Sequence, residues 1–591
     1  MSRDSAPVAI HYRVEAADLH AHLFRVTLTV ARPQTQQRVS LPAWIPGSYL
    51  VREFAKNLQR LQARQGGKPV AVQQLDKCSW QVECAPQDPL VLSYEVYAFD
   101  NSVRAAWLDA TRGFFNGTSL CLRVEGQEDS VHELELVASR AIADWSVATG
   151  LSPLKVNRRG FGRYRAADYD ELVDGPVEMG NFWSSTFTAG GVPHRFVVAG
   201  APPSFDGERL LADTRKICEA EIRLWHSTDT GKRHKAPHRS YLFMLNATDD
   251  GYGGLEHRNS TALICTRRDL PRQGAKPGEG YTTLLGLISH EYFHTWNVKR
   301  LRPAEFARYD YTQENYTQLL WFFEGFTSYY DDLLLRRAGL IDNTTYLKLL
   351  NKTINQVMQT PGRAVQSVAQ ASFDAWVKYY RQDENTPNAT VSYYSKGALV
   401  ALCLDLTLRA EGPHTLDEVM RALWQRCRGG PMREDDLLQV LQDLTGRSYA
   451  REIKRWVHST VELPLKELLE RHGVAIQEEP AQLAQQLGLR VTEGAAIQIK
   501  TVLRGGVAER AGLAAGDEWL GVEVGSGKAR SGWRLTKLDD LPLYAGAHPK
   551  VQALVARDKR LLKLTLNLPR AVTTWRLAVR DQPLIERWLA T

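Results

Sequence analysis

The chain has 591 residues, 43% hydrophobic and 24% charged, with a formal net charge of +7 at pH 7. That length exceeds what one hydrophobic core organises, so three or four domains are expected. The charge is mild and its Lys and Arg are interspersed with Asp and Glu, which argues against a phosphate-tracking surface and a nucleic-acid partner. The seven cysteines, Cys78, Cys84, Cys121, Cys218, Cys265, Cys403 and Cys427, are scattered and odd in number. Neither a disulfide framework nor a thiolate zinc site is expected, and a reducing compartment fits. No apolar run reaches the ~18 residues of a membrane span. The start, MSRDSAPVAIHYRVEAAD, lacks the charged and apolar regions of a signal peptide, so the expected location is cytoplasmic, or periplasmic if a leader was removed.

Residues 1–170 read as a β-sandwich domain. Phe24, Val26, Leu28 and Val30 alternate with polar residues at the period of a half-buried strand, and 91–98 and 132–137 read as further strands. From 171 to about 474 the pattern turns α/β and then helical. Helices are expected over 214–227, 282–298, 312–339 and 394–412, with a buried strand at 240–247. The last part, 475–591, places strand-like 496–502 and 561–568 around a Gly-rich turn, a short Ala-rich helix and Gly516-Asp517. That order resembles a bacterial PDZ domain followed by a tail. The resemblance implies a peptide or protein C-terminus as partner, with Leu487-Gly488-Leu489 where such domains cap a carboxylate.

The chemistry concentrates in His290-Glu291-Tyr292-Phe293-His294. Residues four apart on a helix share one face, so two imidazoles can reach one tetrahedral Zn²⁺ while Glu291 projects beside it as a general base. Leu284, Leu287 and Ile288 supply the apolar face of a buried helix. A catalytic zinc needs a third ligand and an open position. Glu324 is the candidate, because a carboxylate inside Trp321-Phe322-Phe323-Glu324-Gly325-Phe326 is costly to bury unless paired or metal-bound. Gly325, unfavourable inside a helix, suits a close approach of another backbone.

His-Glu-x-x-His followed by Glu-Gly on a later helix resembles the thermolysin-like gluzincins. HEYFHTWNVKRLRP (290–303), WFFEGFTSYY (321–330), LPAWIPGSYLVREF (41–54) and YDELVDGPVEMG (169–180) are similar, more closely, to the glycyl aminopeptidase family. This likeness implies a multidomain α+β protein with an N-terminal β-sandwich, a thermolysin-like catalytic domain over 171–474 and a C-terminal PDZ-like domain over 475–591. It implies one zinc per chain, peptide substrates with a free N-terminus, and a preference for N-terminal Gly, then Ala.

The same resemblance assigns two further residues. Tyr394, in Tyr394-Ser395-Lys396-Gly397, matches the Tyr-x-Lys-Gly pattern of zinc aminopeptidases, whose phenol stabilises the oxyanion; the adjacent Tyr393 points ~100° away on a helix. Glu256, in Gly253-Gly254-Leu255-Glu256, resembles the Gly-x-Met-Glu-Asn strand whose carboxylate grips the substrate amine, although Leu replaces Met and His257-Arg258 precede Asn259. Asn181-Phe182-Trp183 is a candidate wall for the pocket that holds the first side chain. Two other functions use the same residues: a zinc endopeptidase fed by the PDZ-like domain, and a non-catalytic PDZ peptide-binding protein.

Overall fold

The computed structural model describes residues 9–227, 235–569 and 572–590, so the first eight residues of the supposed leaderless start lie outside the described residues. The chain divides into two compact units, Met1–Tyr316 with Met420–Arg433, and Thr317–Val419 with Glu434–Thr591.

The first unit begins with β structure. An eight-stranded sheet contains Ile10–Asp18, Leu23–Val30, Leu90–Tyr97 and His132–Leu136, and two four-stranded sheets lie against the same apolar core. The alternation read from the sequence is realised: Phe24, Val26, Leu28 and Val30 are fully buried. Ile10–Asp18 pairs antiparallel with Leu23–Val30 and parallel with His132–Leu136.

A five-stranded sheet follows, ordered Trp183–Ala189, Val192–Ala199, Tyr241–Thr248, Ser260–Thr266 and Gly253–Glu256. Its three inner strands are parallel and its two edge strands antiparallel. All eight residues of Tyr241–Thr248 are buried, as expected of a strand covered on both faces. The helix Gly207–His226 is capped by the Asp206 side chain, which accepts from the Arg209 amide at 3.0 Å. It therefore starts seven residues before the expected 214.

The second unit is helical and then β-rich. The helices Gly325–Arg337, Asn343–Met358 and Tyr393–Glu411 pack together, the last opened by Ser392, whose hydroxyl accepts from the Ser395 amide. A sheet follows with the order Leu489–Glu493, Ile497–Val502, Glu518–Val524, Lys550–Arg557 and Arg560–Asn567. Gly516 has φ +87° and turns the chain into Glu518–Val524, while Asp517 is fully buried against Arg557 at 2.7 Å. Asparagines tie this part to the helices. Asn388 donates to the Val502 carbonyl at 2.9 Å and accepts from the Arg504 amide at 2.8 Å, and Asn355 exchanges two hydrogen bonds with the Trp575 backbone. Among the described residues no helix is long and apolar enough to cross a membrane.

Candidate active site

The helix bearing the paired histidines runs from Glu279 to Phe293 rather than to 298. Leu284, Leu287 and Ile288 are buried as its apolar face requires. His290 lies in its last turn and His294 is the capping residue, still right-handed at φ −60°, with its amide donating to the His290 carbonyl. The two rings are consequently neighbours, with centroids 4.7 Å apart. The helix stops because the next turn is irregular: Val298 has φ 123°, unusual for a β-branched residue. That turn presents the Asn297 carbonyl to His294 Nδ1 at 2.7 Å. A carbonyl only accepts, so Nδ1 carries the proton and Nε2 keeps a lone pair for a metal. Two imidazoles four residues apart, one already oriented in this way, fit a zinc ion.

The edge strand Gly253–Glu256 lies beside this helix. The His257 amide donates to the Ser260 carbonyl at 2.9 Å, which makes 257 and 260 a hydrogen-bonded pair. Alternation along an antiparallel ladder then leaves Gly254–Leu263 and Glu256–Thr261 as non-bonded pairs. The amides and carbonyls of Gly254 and Glu256 therefore point to the outer edge, where an extended peptide can pair with them.

Side chains two apart on a strand share a face. Glu256 and position 254 both face the helix, and the space at 254 is taken: a Cβ there would stand 2.1 Å from Glu291 Oε1. Only glycine admits the Glu291 carboxylate. On the other side, Gly47 (φ +88°) brings the 41–54 segment against Glu256, where a Cβ would lie 2.5 Å from Oε1. Glu256 and Glu291 are both buried, and one ligand atom each from Glu256, Glu291 and His294 lies within 4.8 Å of the others. Two carboxylates this close repel unless a cation sits between them, so the cluster suits an ammonium group or a metal.

Asp174 fixes the end of the edge strand. Its carboxylate meets Lys299 Nζ at 2.8 Å and His257 Nδ1 at 3.0 Å, and accepts from the Arg258 amide at 3.0 Å. Burial raises its pKa, but Lys299 and the His257 bond outweigh that and hold it well below the usual carboxylate range. Its contribution to stability is therefore complete at neutral pH and is lost only in acid. The stretches 169–180 and 290–303, which carry the family resemblance, thus meet at one ion pair. Asp174→Asn is expected to cost about 3–5 kcal/mol, because Lys299 is left buried without its counter-charge. Urea unfolding checks this, and a change under about 1 kcal/mol would refute it.

Glu324 and Tyr394 belong to the second unit. Glu324 is buried at the point where Leu320–Phe323 passes into Gly325–Arg337, so the expected helix 312–339 begins only at Leu320. A Cβ on Gly325 would lie 2.5 Å from the Gly397 Cα, and one on Gly397 would meet the Trp321 carbonyl at 2.4 Å. The two glycines let the helix bearing Tyr394 touch the segment bearing Glu324. The Tyr394 hydroxyl is held protonated, its pKa raised by burial and then by the Glu324 charge. Tyr380, which no sequence motif marks, places its hydroxyl 3.5 Å from that of Tyr394. Tyr393 is fully buried and stacks on Tyr394.

The proposed wall Asn181-Phe182-Trp183 is displaced from this place. Trp183 opens the strand at the opposite edge of the five-stranded sheet and packs on Gly207, about 19 Å from Gly253–Glu256 at ~4.8 Å per strand. Strand order, which local sequence does not encode, separates them.

The family model for the Peptidase M61 N-terminal domain matches residues 11–181, and that for M61 glycyl aminopeptidase matches residues 283–400. A solved structure described as an aminopeptidase N family protein from Idiomarina loihiensis is 37% identical, with a TM-score of 0.92 over 98% of this chain and 100% of that one. An M1 zinc metallopeptidase from Deinococcus radiodurans is 16% identical, with a TM-score of 0.48 over 77% of this chain and 94% of that one. No curated protein matches the chain.

Proposed function

Because the chain belongs to the M61 glycyl aminopeptidase family, it is an aminopeptidase, and we propose that it removes N-terminal Gly, and less readily Ala, using one Zn²⁺ held by His290, His294 and Glu324. The observation that carries this reading is the meeting of Glu256, Glu291 and His294 on one face of an edge strand. When bound, the Zn²⁺ supplies Lewis acidity to the scissile carbonyl and to the attacking water.

The chain's own residues do the rest. Glu291 takes the water's proton and passes it to the leaving amine. Tyr394 donates a hydrogen bond to the developing oxyanion. Glu256 pairs with the substrate's α-ammonium and sets the register, so that cleavage falls after the first residue. Gly47 supports that role, since the 41–54 segment closes on the Glu256 carboxylate and leaves little room for a residue upstream.

We assign 1–170 to an N-terminal β-sandwich, 171–474 to the catalytic domain and 475–591 to a PDZ-like domain with its tail. The PDZ-like assignment rests on the order of strands and on Gly488, whose φ of +74° ends the helix Leu483–Leu487 before the edge strand Leu489–Glu493. A cavity of about 1240 Å³ opens there, lined by Gly488, Leu489, Arg490, Asn355 and Trp575 among others. It is where a peptide C-terminus would enter.

Glu256→Ala tests the choice between exopeptidase and endopeptidase. For free-amine peptides it should raise KM and lower kcat, because the ion pair both binds and positions. An N-acetylated peptide never had that contact, and its poor cleavage should hardly change. The loss for free amines is about 2–5 kcal/mol if the pair is desolvated. Equal loss for both peptides would favour an endopeptidase.

A further inference from the structure

Arg104 reaches the outer edge of Gly253–Glu256 from 150 residues earlier in the chain. Its Nη2 donates to the Gly254 carbonyl at 3.3 Å, and its Nη1 stands 3.8 Å from where a Gly253 Cβ would be. Among the described residues no carboxylate pairs with it, and its buried Nε has no hydrogen-bond partner. A half-buried guanidinium with an unspent donor is costly unless something anionic arrives. Its place is fixed. Asn116, fully buried, donates from Nδ2 to the Val103 carbonyl at 2.9 Å and to the Ala105 carbonyl at 3.2 Å, clamping the backbone on either side of Arg104.

The order of groups along the edge gives the direction of a substrate. Glu256 marks the amine, and the scissile bond falls between Glu256 and Gly254, on the face that Glu291 occupies. Gly253 with Arg104 follows on the leaving-group side. From Glu256 to Gly254 is about 7 Å at ~3.4 Å per residue. A dipeptide spans about the same length between its amine and its carboxylate. We propose that Arg104 is a specificity residue that receives the carboxylate of the leaving amino acid, so that the enzyme favours dipeptides with a free C-terminus. This rests on the aminopeptidase reading above and names its substrate class. A guanidinium suits the task because its donors form a rigid fork matched to a carboxylate.

The test compares steady-state kinetics on glycyl-alanine, glycyl-alaninamide and glycyl-p-nitroanilide for the full chain and its Arg104→Ala and Arg104→Lys variants. The wild type should prefer glycyl-alanine to its amide. Arg104→Ala should raise KM for glycyl-alanine about 10- to 100-fold, the scale of a lost hydrogen bond between charged groups. Its losses on the other two substrates should be at least about tenfold smaller, and Arg104→Lys should recover part of the preference. Equal losses on all three substrates would mean that Arg104 only supports the strand, and equal losses on the acid and the amide would mean that it reads a carbonyl. Either result, or no loss at all, overturns the proposal. A wild type that cuts acetylated peptides and spares glycyl substrates would instead overturn the aminopeptidase reading.

Discussion

Glu291→Gln is expected to leave the protein folded and its metal bound while turnover falls by about 10²–10⁴-fold, the usual worth of a general base. The amide matches the carboxylate in size, and the pocket at Gly254 that admits Glu291 accommodates it equally well. It cannot accept a proton from water. Because Glu291 adjoins Glu256, the exchange also removes one of two neighbouring buried charges. Substrate ammonium then meets a single carboxylate, and KM should rise as kcat falls. Single-turnover kinetics separates the two. Retention of more than about a hundredth of the wild-type rate would remove Glu291 from the role of base.

Tyr394→Phe is expected to lower kcat by about 10²–10³-fold, as for loss of one oxyanion donor. KM should change little, since the bond is made mainly in the transition state. A phenol whose pKa is raised first by burial stays protonated at neutral pH and is available as a donor. Tyr393→Phe should be mild, because that ring is fully buried, stacked on Tyr394 and tilted against Tyr379. A reversed result would exchange the two tyrosines. Tyr380, close to the Tyr394 hydroxyl, is the residue through which a partial rescue would act.

Local pattern made part of this protein legible in its sequence. Period-two alternation found the strand Leu23–Val30, and the apolar run at 394–412 found the helix Tyr393–Glu411 nearly to the residue. The spacing of His290 and His294 found the imidazole pair, since four residues along a helix fix a shared face whatever the surroundings. Gly325 was legible as a close approach, but its partner, Gly397, was not.

What escaped depends on contacts distant in the chain. The end of the histidine helix is set by the Val298 turn and the Asn297 carbonyl, not by a glycine or proline stop signal. The need for glycine at 47 and 254 comes from carboxylates of Glu256 and Glu291, and no local rule anticipates either. Arg104 carries no motif at all. Asn181-Phe182-Trp183 has a suitable composition for a pocket wall, but strand order puts it at the opposite edge of the sheet.

The central claim is that turnover depends on one zinc ion and a free substrate amine. Its most direct measurement is the hydrolysis of a glycyl reporter after removal of metal by a strong chelator, followed by titration with Zn²⁺. Activity should disappear with the metal and return in full at one zinc per chain. Undiminished hydrolysis by protein shown to be metal-free would contradict it.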